Sequence, residues 1–215
     1  MKTYLFIKRL LDVITATLLL IIFLPLFLIV ALAIKIDSKG PVFFLQDRLG
    51  QGGKVIRIIK FRSMVVDAEK TGSGVYSLEN DPRVTRVGRI IRIGIDELPQ
   101  CLNIVKGQLS FIGPRPPLTY HPWKINEYTE RQKKMFSLLP GITGWAQVNG
   151  RKTVKWNCRI EMNCWYVENI SFVLDMKIFF MTIWKVIRGE SNKNTTETAA
   201  VHTVIKEHET GEAKI

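Results

Sequence analysis

The residues best equipped for chemistry stand together in Gly88-Arg89-Ile90-Ile91-Arg92-Ile93-Gly94-Ile95-Asp96-Glu97-Leu98-Pro99-Gln100, where two adjacent carboxylates follow closely spaced arginines. Asp96 reads as the N-cap of a helix, with Glu97 and Pro99 in its first turn. There an acid is favoured by unsatisfied N–H groups, and a proline needs no donor. A capped helix start accounts for Asp96 on structural grounds alone, but not for Arg83, Arg86, Arg89 and Arg92. A phosphate at the same terminus would use both the N–H groups and the guanidinium forks.

Three further clusters offer related groups. In Ser110-Phe111-Ile112-Gly113-Pro114-Arg115-Pro116-Pro117, prolines fix the backbone on both sides of Arg115, which suits a rigid phosphate clamp or an ordinary turn. In Pro140-Gly141-Ile142-Thr143-Gly144-Trp145-Ala146-Gln147-Val148-Asn149-Gly150-Arg151, glycines allow close backbone approach to a ligand. Trp145, Gln147, Asn149 and Arg151 add stacking, amide and guanidinium groups that suit a nucleotide; the plain alternative is a tight turn around a buried Trp. In Lys60-Phe61-Arg62-Ser63-Met64, strand alternation would put Lys60 and Arg62 on one face. P-loop, dinucleotide, zincin and nucleophile-elbow motifs are missing, and His121, His202 and His208 are scattered, so the chemistry of those motifs and of a histidine base is not indicated.

Positioning these groups falls to a short list of elements. Residues 13–34 are apolar apart from Thr15, Thr17 and Pro25, and at about 1.5 Å per residue such a helix reaches roughly across a hydrocarbon core. The stretch outlasts a signal-peptide apolar region and runs into Lys35 and Asp37 instead of a cleavage site. Lys2, Lys8 and Arg9 precede it, while Lys35, Lys39, Arg48 and Lys54 follow, so both flanks are basic and both ends suit the cytoplasmic side. Pro25 can break the helix so that it dips into one leaflet and returns; a kinked single span is the other reading. Residues 42–46 and 55–59 around a glycine turn at 50–53 form a hairpin pattern, and 67–81 reads as a loop. Helices are expected over 84–93, from Asp96, and over 119–138, with a loop or strand connection at 139–145. Residues 172–187 are apolar but carry Asp175, Lys177 and Lys185, which favours an amphipathic helix on a membrane interface over a lone span.

The composition is compatible with this mixture. A chain of 215 residues holds about one to one and a half domains, and 47% hydrophobic with 23% charged residues is too apolar for disorder and too charged for a polytopic membrane protein. The net charge is +12, while residues 190–215 hold three lysines against five glutamates, so the body is the basic part. An anionic partner is implied: nucleic acid, anionic lipid or a phosphorylated substrate. Cys101, Cys158 and Cys164 form neither an even disulfide framework nor a paired zinc pattern.

Taken together and in order, Lys8-Arg9-x-x-Asp12, Lys60-Phe61-Arg62-Ser63-Met64, Asn80-Asp81-Pro82-Arg83-Val84-Thr85, Asp96-Glu97-Leu98-Pro99-Gln100, Gly113-Pro114-Arg115-Pro116 and the 140–151 run resemble the bacterial sugar transferases. The likeness is to the small monotopic polyprenyl-phosphate phosphoglycosyl transferases. It implies an α/β fold with a re-entrant membrane helix (1–39) broken at Pro25, a cytosolic catalytic domain with a short β-hairpin and amphipathic interfacial helices (40–189), and a loosely ordered tail (190–215). The activity implied is transfer of a sugar-1-phosphate from a UDP-sugar to polyprenyl (undecaprenyl) phosphate, with release of UMP. This would be the first membrane step of glycan assembly, at the cytoplasmic face of the bacterial inner membrane, with membrane lipid but no nucleic acid as a partner. By the same resemblance Asp96 is the nucleophile and forms a covalent phosphosugar. Glu97 holds Mg²⁺, Arg92 and Arg115 steady phosphate oxygens, and Lys60, Arg62, Gln147 and Arg151 serve the diphosphate and uridine. Gln108 and Asn163 depart from the family pattern, which has aspartate at both places. The rival readings are a hydrolase using Asp96 and Glu97, and a membrane-tethered, non-catalytic binder of nucleic acid or anionic lipid.

Overall fold

A computed structural model describes residues 2–72, 74, 80–149 and 156–188. Arg151 and the tail 190–215 lie outside the described residues. The chain begins with a helix pair, α1 (Lys2–Ile22) and α2 (Leu24–Asp37), bent by 62° at Phe23. Pro25 occupies the first turn of α2, where its missing N–H leaves no bond unmade within that helix. Neither helix alone is long and apolar enough to cross a membrane. Thr17 donates its hydroxyl to the Val13 carbonyl within its own turn, so it does not serve the break.

Strands β1 (Phe43–Leu49) and β2 (Val55–Phe61) form the expected hairpin, antiparallel, each running further at its C-terminal end than the apolar runs suggest. Their register places Phe44, Gln46 and Arg48 opposite Lys60, Ile58 and Ile56, so these six side chains share a face. Ile56 and Ile58 from that face pack with Ala16 of α1 and with Cys101, Ile104 and Leu109. A second core joins Val30 and Ile34 of α2 to Phe61 and Ile91, with Ile95 at its margin. The bent pair therefore touches both sides of the segment that carries the carboxylates.

That segment comprises α3 (Arg86–Ile91), a 3-10 turn (Ile95–Glu97) and α4 (Gln100–Val105). Thr85 caps α3, its hydroxyl accepting from the Gly88 N–H, and Asp37 at the end of α2 accepts the Val87 N–H. Gly88 is required there, since a Cβ would come within 2.0 Å of the Ser63 carbonyl oxygen. The expectation that Asp96 is a helix N-cap is not met. Gly94, at φ 131°, breaks the chain between α3 and the turn. The N–H groups of Glu97 and Leu98 then close on the Gly94 and Ile95 carbonyls. Helix α4 starts after Pro99, and the Asp96 side chain is left free of any capping role.

The rest supports the Arg115 loop. Strands β3 (Ser110–Ile112) and β4 (Gly141–Thr143) pair in parallel. The single helix expected over 119–138 is instead a 3-10 turn at Ile125–Glu127, α5 (Glu130–Lys133) and a second 3-10 turn at Lys134–Ser137. Pro122 interrupts helical bonding, and Thr129 with Gln132 forms a capping box that starts a new helix. Helices α6 (Trp145–Asn149), α7 (Trp156–Glu168) and α8 (Phe172–Ile187) follow, α7 being unanticipated. Tyr166, Leu174, Ile178, Val148 and Ile112 form their core. Helix α8 leaves Phe172, Val173, Phe180, Trp184 and Ile187 exposed. It is tied to α1 through Asp175, which accepts from Tyr4, Lys8 and Tyr166 at 2.6, 2.6 and 2.7 Å.

Candidate active site

The 3-10 turn presents Asp96 and Glu97 beside the end of β2. Lys60 donates to Oε1 of Glu97 at 2.6 Å, while no other residue among those described donates a hydrogen bond to the Asp96 carboxylate. The two acids therefore differ. Burial pushes Asp96 up to about 6, against the attraction of Lys60 and Arg92 and with the repulsion of Glu97 added. Burial acts on Glu97 in the same sense, but the charges of Lys60, Arg115 and Arg48 and the Lys60 hydrogen bond outweigh it, and Glu97 is held below its usual range. Asp96 is a carboxylate with little support; Glu97 is a well-supported one.

Cations surround the pair. Arg92, at the C-terminal end of α3, donates through Nε to the Ser63 hydroxyl at 3.1 Å. Burial lowers its pKa, with the Asp96 charge opposing. Arg115 is mounted rigidly: prolines flank it, and its backbone N–H is accepted by Asn163 Oδ1 at 3.1 Å. Arg48 was not singled out by the sequence, although the alternation of Phe44, Gln46 and Arg48 along β1 could have found it. It donates to the Pro116 carbonyl at 2.7 Å and through Nε and Nη2 to Gln46 Oε1. Burial, with Arg115 next, lowers Arg48 to about 9. Gln46 in turn donates to Glu69.

Of the residues expected at the site, the fold brings together Asp96, Glu97, Lys60, Arg92 and Arg115. Arg62 is a correction. Strand β2 ends at Phe61, and the Arg62 guanidinium is buried at the end of α2, donating to the Lys39 and Ser38 carbonyls and the Ser38 hydroxyl at 2.7–2.9 Å. Alternation fails there because the last carbonyls of a helix attract a cation more strongly than an open strand face does. Gln147 is buried in α6 beside Gly144, its amide atoms without a hydrogen-bond partner among the described residues. The two departures from the family pattern keep a hydrogen-bonding role: Gln108 accepts from Asn103 at 2.7 Å, and Asn163 accepts from Arg115. An amide oxygen does for each what a carboxylate would do, without its charge.

The donor set suits magnesium. Asp96 and Glu97 supply hard oxygen ligands from adjacent residues, with Glu97 Oε2 not engaged by Lys60. Mg²⁺ commonly takes one or two carboxylates and completes its shell with substrate phosphate and water. Among the described residues no group of three or more His, Cys, Asp or Glu side chains gathers into an all-protein metal cage.

A carboxylate pair ringed by Lys60, Arg92, Arg115 and Arg48 stands beside a bent apolar helix pair, a cationic setting suited to anionic groups. The chain belongs to the bacterial sugar transferase family, whose model matches residues 3–189. It is 41% identical over 195 residues to the uncharacterized sugar transferase EpsL of Bacillus subtilis (strain 168), covering 90% of this chain and 94% of that protein. It is 40% identical over 185 residues to the UDP-glucose:undecaprenyl-phosphate glucose-1-phosphate transferase of Escherichia coli (strain K12), covering 83% of this chain and 40% of that one. A third relative, the UDP-N-acetylgalactosamine-undecaprenyl-phosphate N-acetylgalactosaminephosphotransferase of Aeromonas hydrophila, is also 40% identical, over 86% of this chain and 45% of its own length. The chain thus spans less than half the length of these last two. Family membership sets aside the non-catalytic binding reading.

Proposed function

We propose that this chain transfers a sugar-1-phosphate from a UDP-sugar to undecaprenyl phosphate, through a covalent phosphosugar on Asp96. The observation that carries the reading is the asymmetry of the pair: an under-supported Asp96 whose pKa is pushed up to about 6, next to a Glu97 fixed by Lys60. At neutral pH Asp96 is mostly ionised, yet more basic than an ordinary aspartate, which is what a carboxylate nucleophile requires.

In the first step an Asp96 oxygen bonds to the β-phosphorus, the bond from that phosphorus to the bridging oxygen breaks, and UMP leaves with the electron pair. In the second, a phosphate oxygen of the lipid attacks the same phosphorus and the bond to Asp96 breaks, restoring the carboxylate. Arg115 and Arg92 hold phosphate oxygens, and Lys60 keeps Glu97 ionised and oriented. Magnesium held by Glu97 would neutralise the diphosphate and the departing UMP. A hydrolase is a poorer fit, because adjacent carboxylates on one turn are not spaced to flank a glycosidic bond.

The bent α1–α2 pair supports a re-entrant dip from the cytoplasmic face of the bacterial plasma membrane. The exposed apolar side of α8 supports a helix lying on the interface. Both would keep Asp96 at headgroup depth, where a soluble donor and a lipid acceptor meet. Relatives named for glucose and for N-acetylgalactosamine are equally similar, so the donor sugar is an experimental question. The test is UMP release from a panel of UDP-sugars with Mg²⁺ and undecaprenyl phosphate in membranes. One donor should yield UMP, and Asp96→Asn should abolish it; UMP from the variant at the native rate would overturn the nucleophile assignment.

A further inference from the structure

The arginines that a helix cap leaves unexplained take different places in the fold. Arg83 is buried, paired with Asp81 at 2.7 Å and donating to the carbonyls of Ala68, Thr71 and Gly74. Arg92 lies beside Asp96. Arg86 and Arg89 do neither. They are exposed on α3 and make no hydrogen bond or ion pair with the described residues, although the charge of Arg86 is felt by Asp37 at the end of α2. Arg89 and Ile90 stand three and four residues from Arg86 on one face of α3, and Ile93 follows in the turn after the helix. Ile90 is 66% exposed and Ile93 58%. The opposite face, Val87 and Ile91, packs on α2. The chain runs from this exposed face through Gly94 straight into the 3-10 turn that holds Asp96.

Resting on the proposed transferase reading, we infer that the Arg86–Arg89–Ile90 face of α3, together with Ile93 in the turn that follows, receives the polyprenyl phosphate acceptor and delivers its phosphate to Asp96. The chemistry is complementary on both counts. A phosphate monoester on a long isoprenoid presents a dianion joined to an apolar chain; this face presents two guanidinium groups beside two exposed isoleucines. A uridine diphosphate-sugar has no use for the isoleucines, and a buried core has no use for the arginines. An acceptor moving within the leaflet would thus meet its cations one helix away from the nucleophile.

The test separates the two half-reactions in the full chain, held in nanodiscs of neutral phosphatidylcholine so that anionic lipid does not contribute. UMP released in a burst without acceptor reads the donor step; steady turnover against undecaprenyl phosphate concentration reads the acceptor step. For Arg86→Gln with Arg89→Gln, the acceptor KM should rise about tenfold, while the burst rate and the donor KM stay within about twofold of the native chain. Ile90→Ser with Ile93→Ser should raise the KM for undecaprenyl phosphate more than that for a short prenyl phosphate. An unchanged acceptor KM, or a burst that falls in parallel with turnover, overturns the inference while leaving the transferase reading in place. A native chain that releases no UMP from any donor overturns both.

Discussion

Two acids in this molecule, one buried and one half-buried, sit in opposite circumstances. Asp175 in α8 is 2% exposed, and both its oxygens are fully used by Tyr4, Lys8 and Tyr166, which come from α1 and α7. Asp96 lies in a 3-10 turn with Lys60 and Arg92 near but with no donor from another described residue. In the first arrangement both oxygens have fixed partners, and the acid fastens α8 to the start of the chain. The second leaves a desolvated carboxylate short of hydrogen bonds, so its charge is available to a phosphorus atom. Saturation marks the structural acid and deficit the reactive one.

The contrast is tested most severely by making the same substitution at both positions. Asp96→Asn should lower UMP release by at least about a thousandfold. Its effect on stability has the opposite sign. The folded-state pKa of about 6 lies above the unfolded value near 3.8, so the favourable contribution is full below the unfolded value and is lost as pH rises through about 6. At pH 7 the charged group is a burden, and Asn should raise stability by up to about 2 kcal/mol by thermal or denaturant unfolding. Asp175→Asn should instead lower stability by about 2 kcal/mol, because half-buried Lys8 loses its hydrogen-bonded counter-charge and keeps only the attraction of Asp12. Turnover per folded molecule should be reduced far less than by Asp96→Asn.

Glu97→Gln comes next. It removes the charge that faces Lys60 and one of two candidate magnesium ligands, so activity should fall by about a hundredfold and the Mg²⁺ concentration for half-maximal rate should rise. An unchanged magnesium response would confine Glu97 to holding Lys60. The pH profile of the donor half-reaction should show an acid limb centred near 6, the rate falling as Asp96 takes up a proton. Lys60→Met removes a charge that lowers Asp96, so it should move that limb to higher pH. The smallest effect is expected at the family departures. Asn163→Asp keeps an acceptor for the Arg115 N–H and should change activity by no more than about threefold.

Much of the fold and site is legible in the amino-acid sequence. The hairpin, the helix over 172–187 and the carboxylate pair all appear where local pattern and residue type indicate. Local signals fail where distant segments compete for the same group. Strand alternation assigns Arg62 to the site, yet the unsatisfied carbonyls at the end of α2 claim it. Capping preference assigns Asp96 to a helix start, yet the Gly94 and Ile95 carbonyls close the turn by accepting the Glu97 and Leu98 N–H groups and release the side chain. The role of Arg48 depends on the Pro116 carbonyl, which lies far from it along the chain, so position on a strand does not by itself announce it.

Side-chain type and spacing along the chain are enough to set the chemistry available: an acid pair, its arginines, a proline-fixed Arg115 and an apolar segment interrupted by Pro25. Such features need no partner to be read. Which acid is supported and which is not depends instead on packing in three dimensions. Hydrogen-bond supply and burial at Asp96 and Glu97 are set by Lys60, Arg92, Arg115 and Arg48, which arrive from separate elements. Packing likewise sorts the arginines into those locked in the fold and those left facing outward, because a charge is neutralised by whatever lies near it in space, whatever its distance along the chain.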